Sequence, residues 1–309
     1  MLDQFTHLFR FQAIAEEGSL RKASERLKLT QPALSRSLAL LEASFGRELL
    51  ERHARGVRPT PFGERVLNTS RRMIRHWELA ELELQSGDGD TRASLKIGVG
   101  PIWRSGILAP VFMEMKQRHP KVLLEVIALR EGQELADLDE GRLDVVLGGV
   151  RIDSRQHPHL KYHWLTDLIV QIAAREGHPA FERLRPDDPK SEQCLLDYPW
   201  IVYNEMALYD DRSHYWISDR LGRDPDIWLK SGNLLTVLTM LQRSDSLCVL
   251  SDLAIGAVAQ PRVLPLPVEL RRRRIPLGLV HREELADWVF ITDFLDMCRR
   301  RFENQTLPA

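Results

Sequence analysis

The sequence predicts an α/β chain built from an amino-terminal winged helix-turn-helix, a long linker helix and a two-lobed α/β remainder. Three observations lead there. Residues 18–46 read as two short helices separated by a break at Lys28-Leu29-Thr30. Residues 60–86 carry one apolar stripe at heptad-like spacing. From Leu95 onward, strand-like and helix-like segments alternate. A length of 309 residues suggests two or three units, and 43% hydrophobic content is ordinary for a soluble protein.

Ser19 is a good N-cap for the first short helix, on which Ala23 and Leu27 share a face. Thr30 can cap the second, and Pro32 sits in its first turn, where a missing N–H costs nothing. Leu34, Leu38, Leu41 and Phe45 recur at helical spacing and are expected to face inward, with Gly46 as the stop. Gln31, Ser35 and Arg36 then fall near the exposed amino-terminal end. Gln suits adenine edges, Arg guanine edges, and Ser a base or a phosphate. A helix-turn-helix can carry its second helix into the DNA major groove, about 12 Å wide. The same spacing would also serve an αα-hairpin in an ordinary helical core.

Residues 48–52 and 57–58 can form two short strands around the basic loop His53-Ala54-Arg55-Gly56, which reads as a wing. Arg52, Arg55 and Arg58 could reach phosphates or the minor groove. Residues 18–65 hold ten Lys/Arg against five Asp/Glu, while the whole chain carries net −1. Local positive charge on a near-neutral protein suits a nucleic-acid module, and it also suits a plain solvated face.

Thr60 and Pro61 open the linker helix. Phe62, Val66, Met73, Trp77, Ala80 and Leu84 form its apolar seam, and Arg65, Arg71, Arg72, Arg75, Glu78, Glu81 and Glu83 cover its other faces. The seam implies either dimerisation or packing on its own domain; two-fold symmetry would suit a palindromic DNA site. Residues 86–90 read as a polar hinge.

Beyond the hinge, strands are expected at 95–99, 122–129 and 143–147, with helices at 107–115 and 133–140 between them, the signature of a largely parallel sheet. A second set follows: strands near 168–173, 200–203 and 247–250, and helices near 211–221 and 234–242. A strand at 275–280 and a helix at 285–300 return to the first lobe. The run Arg271 to Arg274 reads as a solvated approach to that strand, or as a contact with DNA or a partner.

Residues 1–65 closely resemble the winged helix-turn-helix domain of LysR-type transcriptional regulators. The matching signs are Phe11, Ala15, Gly18-Ser19-Leu20, Ala23, Leu27, Thr30-Gln31-Pro32-Ala33-Leu34-Ser35, Leu41-Glu42, Gly46, Leu49, Arg52, Thr60-Pro61 and Gly63. The run Thr30 to Arg36 is highly specific for that family. The resemblance implies a DNA-binding domain over 1–60, a linker and dimerisation helix with hinge over 61–90, and an effector domain of the periplasmic-binding-protein fold over 91–309. Lobe 1 would take about 91–165 and 270–309, and lobe 2 about 166–269. It places Gln31, Pro32, Ser35 and Arg36 against DNA, with Arg52 and Arg55 in support from the wing; Thr30 and Arg58 complete the expected DNA-binding set. Implied partners are double-stranded promoter DNA, a small-molecule effector of organic-acid or aromatic type, a homodimer or homotetramer, and RNA polymerase. No cofactor, metal or membrane is implied.

Open α/β sheets hold ligands outside the carboxyl ends of their strands. Pro101, Ile102, Trp103 and Arg104 follow the first strand there; Gln133, Tyr203, Asn204 and Asn233 are the other candidate effector contacts. Each polar one is equally a cap or turn residue, and Trp103 either stacks on a ring or fills a lobe interface. Relatives often carry a hydroxyl residue near Pro101; here Ser105 is displaced. Cys194, Cys248 and Cys298 are few and far apart, as suits a reducing cytoplasm. Rival classes are a small-molecule-binding lobed protein without specific DNA regulation, a solute-binding protein, which needs an export signal that the start of this sequence lacks, and a lobed enzyme, for which no nucleophile motif, phosphate loop or metal set is found.

Overall fold

The computed structural model describes residues 2–53, 56–85, 94–104, 106–130, 132–149, 152, 155–203, 218, 220–255, 262–268 and 274–303. Chain packing divides them into two units. One is Met1–Leu95 with Lys121–Leu123 and Gly132–Asp144; the other is Lys96–Pro120 with Leu124–Glu131 and Val145–Ala309. This division cuts across the sequence-based scheme of 1–60, 61–90 and 91–309, because residues 132–144 pack with the linker helix.

In the first unit, α1 (Leu2–Glu17), α2 (Leu20–Leu27) and α3 (Gln31–Phe45) precede a hairpin of β1 (Leu50–His53) and β2 (Gly56–Pro59) and the linker helix α4 (Pro61–Gln85). Phe11, Ile14, Ala23, Leu34, Leu41, Leu49 and Leu67 form the core of the head. The Ser19 hydroxyl accepts from the Lys22 N–H at 3.5 Å, and the Thr30 hydroxyl from the Ala33 N–H at 3.4 Å. The turn between α2 and α3 passes through Lys28 at φ 54°, a left-handed conformation unusual for a side chain of this size. Phe45 is 44% exposed and so does not face inward as its spacing suggested. The helix stops at Gly46, and Phe45 packs edge-on against Phe62 with ring centroids 5.7 Å apart. The short helix α6 (Glu134–Asp139) also belongs to this unit.

The second unit is organised by one mixed sheet in the order β4-β3-β5-β11-β6-β9-β7-β8, with β10 pairing β6. These strands are β3 (Ser94–Val99), β4 (Leu123–Ala128), β5 (Val145–Gly148), β6 (Leu160–Arg175), β7 (Trp200–Tyr203), β8 (Ile227–Ser231), β9 (Leu247–Ser251), β10 (Val263–Pro265) and β11 (Arg274–Arg282). Helices α5 (Ala109–Arg118), α7 (Ala180–Arg183), α8 (Leu234–Arg243), α9 (Asp252–Ile255) and α10 (Val289–Glu303) accompany it. Pairing is parallel at the flanks, β3 with β5 and β7 with β8 and β9. The sheet is not largely parallel throughout, because β6 and β11 run antiparallel to their neighbours.

β6 is 16 residues long, far beyond the expected 168–173. It pairs with β11 along residues 160–169, then with β9 and β10 along residues 170–175, so one strand serves both halves of the sheet. Lys161, Tyr162, Trp164 and Asp167 hide its first half from a hydrophobicity reading. The last helix starts at Val289 rather than 285, since Glu283–Leu285 forms a separate turn that buries Leu285. The helix expected near 211–221 lies outside the described residues except for its final turn. So do Arg271, Arg272 and Arg273. Cys194, Cys248 and Cys298 are buried free thiols, and burial pushes Cys194 and Cys298 upward in pKa. Among the described residues, no helix is long and apolar enough to cross a membrane.

Where β6 and β11 run side by side, a polar chain crosses the fold. An Arg299 N–H donates to His163 Nδ1 at 3.1 Å. His163 Nε2 and His281 Nε2 are 2.9 Å apart, and His281 Nδ1 is 2.8 Å from the Arg282 carbonyl oxygen. One set of tautomers satisfies all three contacts, and in it both rings are neutral: His163 donates from Nε2 and His281 from Nδ1. Burial, then the charges of His281, Arg299 and Lys161, push His163 down from 6.5 to about 4. Burial also lowers His281, with Arg282 and Lys161 adding to the effect against its bond to the Arg282 carbonyl.

The unfolded chain therefore takes up a proton at His163 near pH 6.5, and the folded chain only near 4. The stabilisation is fully present above 6.5 and declines as pH falls toward 4. The difference in thermal midpoint between wild type and His163→Gln, measured at each pH, is expected to shrink across that window. A difference that stays constant would overturn the assignment.

Candidate nucleic-acid interface and small-molecule site

Helix α3 presents two unlike sides. Leu34, Ser37 and Leu41 are buried, and His7 Nδ1 holds the Ser37 hydroxyl at 2.6 Å. Thr30, Gln31, Pro32, Ser35 and Arg36 are exposed around its amino-terminal turn. The first turn of a helix also offers a positive dipole end suited to a phosphate, although in α3 the Ala33 N–H is taken by the Thr30 hydroxyl and Pro32 has none. Arg36, Arg52 and Arg58 are exposed and engage no partner among the described residues. Other head arginines are committed: Arg21 pairs with Glu25 at 3.3 Å, and Arg26 with Glu16 at 3.0 Å. Lys22 and Lys28 are likewise exposed and uncommitted; the charge count included them, but no motif singled them out.

The wing is a β1–β2 hairpin with Glu51 opposite Arg58 and Arg52 opposite Val57. Residues opposite each other share a face and successive residues alternate. Arg52 and Arg58 therefore project from opposite faces of the hairpin, and the strands do not bring them together. Arg55 lies outside the described residues. Glu42 ties α3 to the wing, its carboxylate accepting from the Leu49 N–H at 2.8 Å and the Leu50 N–H at 3.4 Å.

The linker seam is divided. Phe62 and Val66 belong to the core of the head, and the Arg47 and Arg65 guanidinium groups lie 5.1 and 5.3 Å from the Phe62 ring centre. Met73 is 46% and Trp77 55% exposed; Ala80 is half-buried. The Leu84 side chain is outside the described set. On another side of α4, Arg75 is buried rather than solvated. Its Nε donates to Asp144 at 2.9 Å and a terminal N–H donates to the same carboxylate at 2.5 Å, with further bonds to Glu78 and the Ser94 carbonyl. Burial alone would lower the Arg75 pKa, but the bond to Asp144 and its charge, aided by Glu78, leave it raised. Sequence spacing could not find this partner, which is 69 residues away.

In the second unit, Pro101–Arg104 forms a 3-10 turn directly after β3. Ile102 and Trp103 are buried, and the Trp103 ring packs edge-on against Phe302 with centroids 5.1 Å apart. Trp103 thus fills the core beneath the last helix, and its buried Nε1 has no hydrogen-bond partner among the described residues. Arg104 is exposed, and its charge reaches Tyr203 at the end of β7. Tyr203 is 2% exposed; burial pushes its phenol up in pKa, and Arg104 opposes that shift. Asn233 acts as an N-cap, its side-chain oxygen accepting from the Thr236 N–H at 3.1 Å. Gln133 stands exposed before α6 in the first unit, with no side-chain capping bond. Asn204 and Ser105 lie outside the described residues. Of the candidate effector contacts, Arg104 and Tyr203 are the pair linked electrostatically, the Arg104 charge acting on the buried Tyr203 phenol.

Residues 5–64 match the family model of a bacterial regulatory helix-turn-helix protein, lysR family, and residues 88–303 match that of the LysR substrate binding domain. The chain is 29% identical over 237 residues to the HTH-type transcriptional regulator YdcI of Escherichia coli K12, covering 77% of this chain and 74% of that one. It is 27% identical over 256 residues to the regulator GbpR of Azospirillum brasilense, covering 82% and 73%. Among solved structures, full-length LysG of Corynebacterium glutamicum with bound effector Arg superposes with a TM-score of 0.68 at 18% identity, over 98% of this chain and 99% of that one. ArgP of Mycobacterium tuberculosis gives 0.67 at 19% identity, over 96% of each chain. At these identities the two structures are similar in fold.

Gly63 sits where a Cβ would come within 2.0 Å of the Leu49 carbonyl oxygen, a backbone atom that cannot swing away. Gly63→Ala is expected to lower head stability by about 1–3 kcal/mol, the scale of an overpacking defect. Chemical denaturation checks it, and an unchanged midpoint and slope would count against this packing.

Proposed function

The chain belongs to the LysR family of bacterial helix-turn-helix regulators, and from that premise we propose how its residues divide the work. As a member it is a DNA-binding transcriptional regulator with an effector-binding domain; the family is one of regulators and not of enzymes. We assign 1–60 to DNA binding, 61–90 to the linker and 91–309 to effector binding. Thr30, Gln31, Pro32, Ser35 and Arg36 enter the major groove, while Arg52, Arg55 and Arg58 contact the backbone or minor groove beside it. The observation that carries this reading is that the Gln31, Pro32, Ser35 and Arg36 side chains are exposed on α3 opposite its buried Leu34, Ser37 and Leu41.

Two copies join through the exposed part of the linker seam, Met73 and Trp77, continued by Ala80 and Leu84, with Phe62 and Val66 bracing its base. A tetramer would pair two such dimers. The protein works in the cytoplasm, where promoter DNA and RNA polymerase are found. The effector is a small organic acid or aromatic molecule held in the second unit by Arg104 and Tyr203, with Pro101, Ile102, Trp103, Asn204 and Asn233 shaping the site and Gln133 responding to it. Effector binding shifts the population between two arrangements of the DNA heads.

Arg36→Ala is expected to lower affinity for a selected DNA duplex by roughly 1–3 kcal/mol, the scale of one good base contact, and to relax choice at one base pair. Arg58→Ala is expected to weaken binding to all duplexes alike and to reduce the salt slope by about 0.9, one phosphate contact. Titrations of each variant at several salt concentrations separate the two. Unchanged binding by Arg36→Ala at fixed salt would remove it from the interface. Trp77→Asp is expected to shift sedimentation toward the monomer, and an unaltered profile would remove Trp77 from the dimer seam.

A further inference from the structure

Three features of the first unit converge on one stripe of α4. Arg75, with its side chain 6% exposed, is locked to Asp144, which is fully buried. One turn earlier, Arg71 lies 3.5 Å from Glu140 on one side and 3.6 Å from Glu16 of α1 on the other. Between them, a Cβ on Gly141 would lie 3.4 Å from the backbone nitrogen of Arg72, so the turn after α6 rests directly on α4. That turn is itself braced. Arg142 bonds Asp137 at 2.6 Å and also pairs with Glu140, and the Leu143 N–H donates to the Asp137 carbonyl. Gln133 stands at the other end of the six-residue helix α6.

We propose that Arg71 and Arg75 form a two-point coupling that makes the position of the DNA head depend on the segment 133–144. Arg75 is the fixed anchor. Its charge and that of Asp144 are out of water, and losing either partner would remove the direct, two-nitrogen compensation of the other. Arg71 is the branch. Among the described residues it alone pairs with both Glu140, at the end of α6, and the head carboxylate Glu16, and its side chain is 17% exposed, which shields the bridge from the screening that weakens surface pairs. A shift of α6 moves Glu140 and Gly141 together, and α4 carries it to α1 through Arg71. Arg71 and Arg75 are positioning residues, since neither needs to touch DNA or effector.

The inference deepens the proposed function, and two measurements on the full-length protein keep the two apart. The first uses a random duplex library containing paired half-sites at varied spacing. Wild type is expected to enrich one spacing. Arg71→Gln, Glu16→Gln and Glu140→Gln are each expected to bind the same half-site while the share of that spacing falls by about fivefold or more, the lower end of ordinary allosteric coupling. Because either cut breaks the same bridge, the Glu16→Gln/Glu140→Gln double variant is expected to be no broader than the single variants. A spacing as sharp as wild type in Arg71→Gln, or a double variant as broad as two independent losses, overturns the coupling.

The second measurement needs no DNA. Spin labels at Lys22→Cys and Ala136→Cys, both exposed in the first unit, are expected to give one narrow distance in wild type and a broad distribution with Arg71→Gln. The native cysteines are buried, which favours labelling at the introduced sites. Identical narrow distributions overturn the coupling. A wild type that enriches no DNA at all, with the distances behaving as expected, sinks the proposed function and leaves the coupling standing.

Discussion

The Arg75–Asp144 pair joins the linker helix to a segment 69 residues further along the chain. Taking both charges out of water is costly, and the interaction is favourable only because its geometry is complete. The guanidinium meets the carboxylate through two nitrogens, reaches the Ser94 carbonyl with the same edge, and finds Glu78 one turn further on. Removal of one member of such a pair typically costs about 3–5 kcal/mol, whereas replacing both by apolar groups is often neutral. The pair therefore explains placement better than it explains net stability. It fixes which turn of α4 the residues 132–144 must rest on, and that is why these residues pack with the head and linker.

The fold of the head was legible because its determinants are local. Caps, turn glycines and the proline at the start of a helix act within four residues, and Ser19, Thr30 and Gly46 all act as their spacing suggests. Phe45 shows the limit of that logic. Helical periodicity continues past the point where the core ends, so an inward-facing register position can still emerge into solvent. β6 shows another limit. Its first half carries aromatic and charged residues on the exposed face, and its strand character comes from pairing with β11, more than a hundred residues away.

The candidate sites were legible to different degrees for the same reason. The residues proposed to face DNA form one contiguous run, so its composition could be read directly. The proposed effector contacts come from separate strands and turns, and proximity among them is a property of topology. Trp103 illustrates this: its position after β3 left open a ring stacked on a ligand or one filling an interface, and its partner is Phe302, almost two hundred residues on. Arg104, next in sequence, is exposed instead, and its charge acts on Tyr203. The coupling residues were the least legible. Arg71 and Arg75 occupy positions that a helical projection assigns to solvent, and only the return of the chain at 137–144 buries them.

The arginines of the first unit thus fall into two populations with opposite requirements. A residue that binds phosphate must stay hydrated and unpaired until DNA arrives, because its contribution comes largely from displacing condensed counterions. Arg52 and Arg58, the residues proposed for the DNA backbone, meet that condition. A residue that transmits position must keep its partner in salt, where exposed charges more than about 8–10 Å apart are screened. Arg71 and Arg75 meet that one through burial and direct contact. The two groups consequently differ in their sensitivity to ionic strength. Added salt loosens the grip on DNA while leaving the internal linkage between α4 and the 133–144 segment intact, so the head can leave its site without losing the orientation that selects it.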